Sequence, residues 1–190
     1  MSDKTKRVML VAHPDDEVLW GGGIVIRHPG DWTIICASVP RADPIRAVKF
    51  KDACYVLNAH PILIDWQEPI ASEPFLHLDL IDLSPYDHVL THNAFGEYGH
   101  VQHKSVHNFV KRKYGRKQIS TFGYRPGGVG INRIDLTEFE EARKLKALKK
   151  YDHFSQYNGK NIPKWEALLG RYINKEGIHF GTETYDGQKF

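Results

Sequence analysis

The chain has 190 residues, a length that suits one domain with a core of its own, and its 41% hydrophobic and 26% charged residues are the composition of a globular protein. No apolar stretch approaches the ~18 residues of a membrane span, and the polar start MSDKTKR runs into a strand pattern with no hydrophobic signal region, so the expectation is a soluble protein of the cytoplasm. A formal net charge of +3 is too small to point to nucleic acid as a partner.

In chain order, RVMLVA (7–12), WTIICASV (32–39), PILIDW (61–66), YDHVLTH (86–92) and ISTFGY (119–124) read as strands. Between and after them, 16–27, 44–58, 101–114 and 136–150 read as helices. The second opens with Asp43 as cap and Pro44 as its first residue. The fourth begins with Thr137 and an acidic first turn and ends in lysines, matching the helix dipole at both ends. This alternation argues an α/β fold with a mostly parallel central sheet flanked by helices. The stretch 67–85 and the tail after Gly170 are irregular and are expected outside the sheet.

Other features have plain structural readings. Cys36 and Cys54 lack metal-knuckle spacing and read as reduced, buried thiols. The basic groups Lys104, Lys111, Arg112, Lys113, Arg116 and Lys117, and then Lys144, Lys146, Lys149 and Lys150, read as solvated helix faces, with an anionic substrate as the alternative. Trp20, Trp32, Trp66 and Trp165 read as core ahead of sugar-stacking surfaces.

Two segments resist such readings. AHPDDE (12–17) sits where the first strand turns into a helix, a place where exposed N–H groups favour an acidic residue. A cap accounts for Asp15 or Glu17 but not for His13, and the spacing of three between His13 and Asp16 lets both reach one point around a tight turn, as metal ligands do. The second segment, THNAFGEYGHVQH (91–103), also begins at a strand end, and open α/β sheets bind ligands beyond the carboxyl ends of their strands. The two are therefore expected to share a cleft. His100 and His103 are i,i+3 neighbours at a helix entrance, while His107 lies a turn deeper, where it can simply pack. Two histidines and one carboxylate with an open fourth position suit Zn²⁺. One carboxylate and one histidine then remain as base and as donor to the oxyanion or leaving group. Spacing alone leaves open which histidine would bind the metal.

AHPDDE together with GHVQH resembles the PIG-L/LmbE-like family of zinc-dependent N-acetylglucosaminyl deacetylases, over roughly residues 6–157 by motif placement. KALKKYDHFSQ (146–156) is similar to a later pattern of that family. The resemblance implies a Rossmann-like three-layer fold, one domain over 1–190 with a C-terminal extension at 158–190, and one zinc or other divalent ion per chain. His13, Asp16 and His103 would be the ligands, Asp15 the general base, and His100 the catalytic histidine, polarising the carbonyl or protonating the amine. Arg46 would meet the polar or phosphorylated part of an amino-sugar substrate, free or nucleotide-linked. Tyr98, two residues before His100, is a candidate extra donor to the oxyanion. Three departures stand out: Gln102 where the family often has an Asp that orients the catalytic imidazole, Lys49 where it commonly has Glu, and extra residues before Ser155 and Gln156, which stay unassigned. The competing readings are a non-catalytic metal- or sugar-binding domain and a hydrolase of an ester or phosphoester. The last usually needs two metals and more carboxylates than AHPDDE offers.

Overall fold

Alternate side chains of β1 (Lys6–Val11) go to opposite faces of a sheet: Val8 and Leu10 enter one apolar cluster, Met9 and Val11 the other, as the two-residue repeat of a strand requires. The computed structural model describes residues 5–40, 43–64, 66–70, 72–115, 117–124, 130–170, 180–187 and 190. After β1 come β2 (Asp31–Cys36), β3 (His60–Leu63), β4 (His88–Thr91) and β5 (Gln118–Phe122), all joined by parallel ladders. They are followed by β6 (Asn132–Asp135), a separate hairpin of β7 (Phe154–Tyr157) with β8 (Lys160–Pro163), and β9 (Thr182–Gly187). Among the described residues the central sheet runs β3-β2-β1-β4-β5-β9-β6, a Rossmann-like order extended by β9, which runs antiparallel to its neighbours, and by β6 beyond it.

Helices α1 (Asp16–Arg27), α2 (Ile45–Leu57) and α5 (Glu138–Leu148) supply one apolar layer, through residues such as Leu19, Phe50, Leu57 and Leu148. On the other face α4 (Val101–Tyr114) packs Val106, Phe109 and Val110 with Leu78 and Leu83. A short turn, α3 (Gly96–Gly99), precedes α4, and α6 (Lys164–Leu168) follows the hairpin. Burial on both faces explains why the parallel strands appear in the sequence as continuous apolar runs. A buried Leu90→Ala change in such a core costs about 2–5 kcal/mol. The glycine run of α1 lets that helix lie against the sheet, since a Cβ on Gly21 would stand 2.5 Å from Met9 Cε.

Three expectations need correcting. The tail does enter the sheet: β9 lies between β5 and β6, pairing Tyr185 with Phe122 and Glu183 with Ile134. TETYDG hides this strand because one of its inward side chains is an acid. Glu183 is buried, accepts from Gly23 N at 2.6 Å and Ile24 N at 2.7 Å, and lies 2.7 Å from Lys144 Nζ. Lys144 is thus the buried partner of that acid and no part of a solvated face. Asp43 does not cap α2; its carboxylate accepts from His153 Nε2 at 2.9 Å. Thr137, by contrast, forms a full capping box with Glu140 at the start of α5. Residues 67–85 hold an isolated bridge at Gln67 and a 3₁₀ turn at Leu78–Leu80, outside the sheet. Both cysteines are free and buried.

Candidate metal centre

The strand order reverses between β1 and β4, which sit side by side, so the loops that leave their carboxyl ends open into one crevice. Ala12 N donates to His92 Nε2 at 3.0 Å and stitches the two loops together across the switch point.

The first loop turns sharply at Asp15, whose φ of 108° is one that L side chains rarely adopt. Three groups hold it there. Glu17 Oε2 accepts from Asp15 N at 2.9 Å, and Tyr151 donates its hydroxyl to Glu17 Oε1 at 2.6 Å. Arg46 donates from Nε and Nη2 to Pro14 O at 3.1 and 2.6 Å, and from Nη2 to Asp15 Oδ2 at 2.5 Å. Asp15 occupies the N-cap position of α1 without a side-chain cap bond, so its carboxylate is left to the guanidinium. Burial raises the Asp15 carboxyl above the usual range and the Arg46 charge opposes that rise. Glu17, fully buried, is pushed up to about 8 by burial, against the Tyr151 hydrogen bond.

Three side-chain atoms converge beyond this turn. His13 Nδ1 lies 3.2 Å from Asp16 Oδ2, His103 Nε2 lies 3.3 Å from the same oxygen, and the two nitrogens are 3.2 Å apart. A tetrahedral ion with ligand bonds of ~2.0–2.1 Å keeps its donors roughly 3.3 Å apart, so the triangle fits a small divalent cation. The tautomers fit as well. His103 Nδ1 donates to Glu97 Oε2 at 2.6 Å and His13 Nε2 to Gln102 Oε1 at 2.5 Å, which leaves a lone pair on the nitrogen of each ring that faces Asp16. Trp20 Nε1 donates to Asp16 Oδ1 at 3.1 Å, so the other carboxylate oxygen is the one turned to the imidazoles. Two other sets of three, His13 with His100 and His103 and Asp16 with His92 and His103, also hold their donor atoms within 4.8 Å of one another. His92, however, spends its Nε2 lone pair on Ala12 N and its Nδ1 proton on Glu97 Oε2 at 2.8 Å.

Electrostatics agree with the geometry. Burial disfavours charge on His13, but the Asp16 and Glu68 carboxylates outweigh it and hold the imidazole up at about 9. Asp16 is driven well below its usual range: burial would raise it, and the His103 charge with the hydrogen bonds from His103 and His13 overcomes that. Without a cation, protons gather in this pocket. His100 is half-buried, its ring 4.8 Å from His13 and 4.6 Å from His103, and burial followed by those two charges lowers it to about 4. Its Nδ1 accepts from Gln102 N at 3.3 Å, which puts the proton of the neutral ring on Nε2.

The structure therefore gathers His13, Asp16, His100 and His103 in one cluster, with Asp15 on the adjoining turn, Arg46 reaching that turn from α2, and the Tyr98 ring edge-on to His100 at 5.7 Å. Gln102 behaves otherwise than expected: its side chain meets His13, and only its backbone N–H meets His100. Lys49 pairs with Asp152 at 2.7 Å. The sequence does not single out His92, Glu97 or Glu68, and it reads Trp20 as core or a sugar-stacking face and not as a donor to Asp16. Glu97 lies inside the GEYGH stretch, but nothing in its spacing tells that a φ of 55° turns it inward to bridge two imidazoles.

No family model matches the chain. It is 29% identical over 129 residues to "Uncharacterized protein L374" of Acanthamoeba polyphaga mimivirus, an alignment taking in 54% of this chain and 55% of the relative, so the chain spans about half the length of that curated relative. Among solved structures, the N,N'-diacetylchitobiose deacetylase of Pyrococcus horikoshii superposes with a TM-score of 0.69 at 17% identity, over 98% of this chain and 84% of that one. The A40926 pseudoaglycone deacetylase Dbv21 gives 0.64 at 16% identity, over 96% of each chain. The 4-carboxy-2-hydroxymuconate hydratase GalB of Pseudomonas putida KT2440 gives 0.61 at 14% identity, over 98% and 97%. No helix among the described residues is long and apolar enough to cross a membrane. At these identities the likeness is one of architecture: the chain has the fold of the LmbE/PIG-L-type deacetylases, which a hydratase also uses, and carries AHPDDE and GHVQH at the switch point of that fold.

Proposed function

We propose that the chain is a zinc-dependent hydrolase that removes the N-acetyl group of an N-acetylglucosamine-type amino sugar or its conjugate, releasing acetate and a free amine, with residues 1–190 acting as one domain. The observation that carries the reading is the donor triangle of His13, Asp16 and His103, with sides of 3.2, 3.2 and 3.3 Å, beside a buried second carboxylate and a neutral histidine. One zinc held there would act as a Lewis acid on the acetamide carbonyl and bring a water molecule near neutral pH to the point of ionisation.

Asp15 would take a proton from the attacking water and pass it to the departing amine; its burial raises its affinity for a proton while Arg46 keeps the carboxylate aimed. His100 donates its Nε2 proton as a hydrogen bond to the oxygen on which negative charge develops, which makes polarisation of the carbonyl its first task. Tyr98 is a second donor on the same side. Arg46 lends positive charge to the region that receives the polar or phosphorylated part of the substrate.

Because a hydratase shares the fold, the bond cleaved is the point to test. Metal analysis and acetate release from N-acetylglucosamine derivatives should give one zinc per chain and turnover, with Asp15→Asn keeping its zinc and losing about 10²–10⁴ in kcat. A zinc-loaded protein that frees no acetate, or an Asp15→Asn variant with full activity, overturns the proposal.

A further inference from the structure

Gln102 is fully buried in the first turn of α4, at a position where the family often has an acid. Both ends of its side chain are in use. Oε1 lies 2.5 Å from His13 Nε2, while Nε2 donates to Pro69 O at 3.0 Å and to Ile70 O at 3.3 Å. An amide accepts at one end and donates at the other, whereas a carboxylate would face those two carbonyl oxygens with no proton to offer. The segment it holds walls the cleft. Phe75 stands 6.4 Å from the His13 ring and, with Trp66, Pro69, Leu76 and His77, borders a cavity of about 430 Å³. Glu68, on the same segment, lies 3.3 Å from His13 Nε2.

We infer that Gln102 is a positioning residue that joins the metal centre to this wall: it keeps His13 in the tautomer whose Nδ1 faces Asp16 and His103, and it ties residues 66–70 to the same imidazole, so that filling the centre orders the wall. By linkage, an ordered wall in turn tightens metal binding. The inference rests on the metal-binding part of the proposed function and explains why this chain has an amide where an acid would serve the imidazole alone.

The experiment compares the full chain with Gln102→Glu and Gln102→Leu, measuring zinc affinity by chelator competition and amide hydrogen exchange over residues 66–77 with and without zinc. In the parent, zinc slows exchange in the wall. Gln102→Glu keeps an acceptor for His13 and so still binds zinc, weakened only by the lost coupling, but its wall exchanges about tenfold faster and no longer responds to the metal, as the loss of the two donated hydrogen bonds requires. Gln102→Leu loses both ends, with zinc affinity down about 10–100-fold and a wall as fast as that of Gln102→Glu. Zinc binding by the parent together with parental behaviour in either variant overturns the coupling alone. A parent that binds no zinc overturns the metal reading and the coupling with it.

Discussion

The two loops that meet beyond β1 and β4 each hold a carboxylate-bearing residue in the left-handed region, Asp15 at φ 108° and Glu97 at φ 55°, but the two acids meet different partners, a guanidinium for Asp15 and two imidazoles for Glu97. Such backbone costs about 1–3 kcal/mol per residue and persists only where surrounding groups hold it. In the first loop Arg46, Glu17 and Tyr151 do the holding, and Asp16 turns toward the imidazoles. In the second loop Glu97 is fully buried and takes N–H bonds from His92 and His103, while the other nitrogen of His103 faces Asp16. The first loop thus supplies negative charge to the crevice, and the second supplies imidazoles whose orientation is set by a hidden acid.

The strongest way to break this comparison is to remove one ligand from each loop. Asp16→Ala and His103→Ala should both lose zinc and abolish acetate release, measured by metal content and turnover; a variant that keeps both would show that its loop is dispensable. Next in size, Asp15→Asn should act on rate with zinc retained, whereas Glu97→Gln should lower zinc affinity about 10–100-fold and leave kcat at saturating zinc near the parent value. Equal effects of the two changes on kcat would erase the distinction between the loops.

A pH series sharpens the same point. With His13 held up at about 9, the empty site keeps an extra proton below that value, and zinc must displace it. Zinc affinity should therefore rise with pH, by up to about tenfold per unit for each proton displaced, and level off above about 9. A flat profile in chelator competition would show that the carboxylates do not charge the ring. The smallest effect is expected from Tyr151→Phe, which removes a donor from buried Glu17 and should lower stability by about 1–2 kcal/mol in denaturant unfolding, with zinc affinity unchanged. A loss of zinc there would tie the first loop's support to the metal centre as closely as Glu97 is tied to it.

How much of this was legible in the sequence follows from the range of each interaction. Strands buried on both faces leave unbroken apolar runs, so β1 to β5 appear within a few residues of their true ends, and the capping box of Thr137 and Glu140 is local by nature. The motif spacings likewise brought His13, Asp16, His100 and His103 into view. β9 stayed hidden because an inward Glu183 breaks its alternation, and that acid is tolerable only because Lys144 and two N–H groups of α1 meet it.

The sequence by itself determined where β1 to β5 and helices α1, α2, α4 and α5 lie and that histidines and aspartates cluster at two strand ends, since periodicity and short spacings are properties of neighbouring residues. Only the tertiary structure decided which acid serves which imidazole. The contacts that bring those groups together join Ala12 to His92, His13 to Gln102 and His13 to His103 across 80, 89 and 90 residues. Two backbone angles in the left-handed region then choose which partners a carboxylate meets, and residue type alone does not carry that choice.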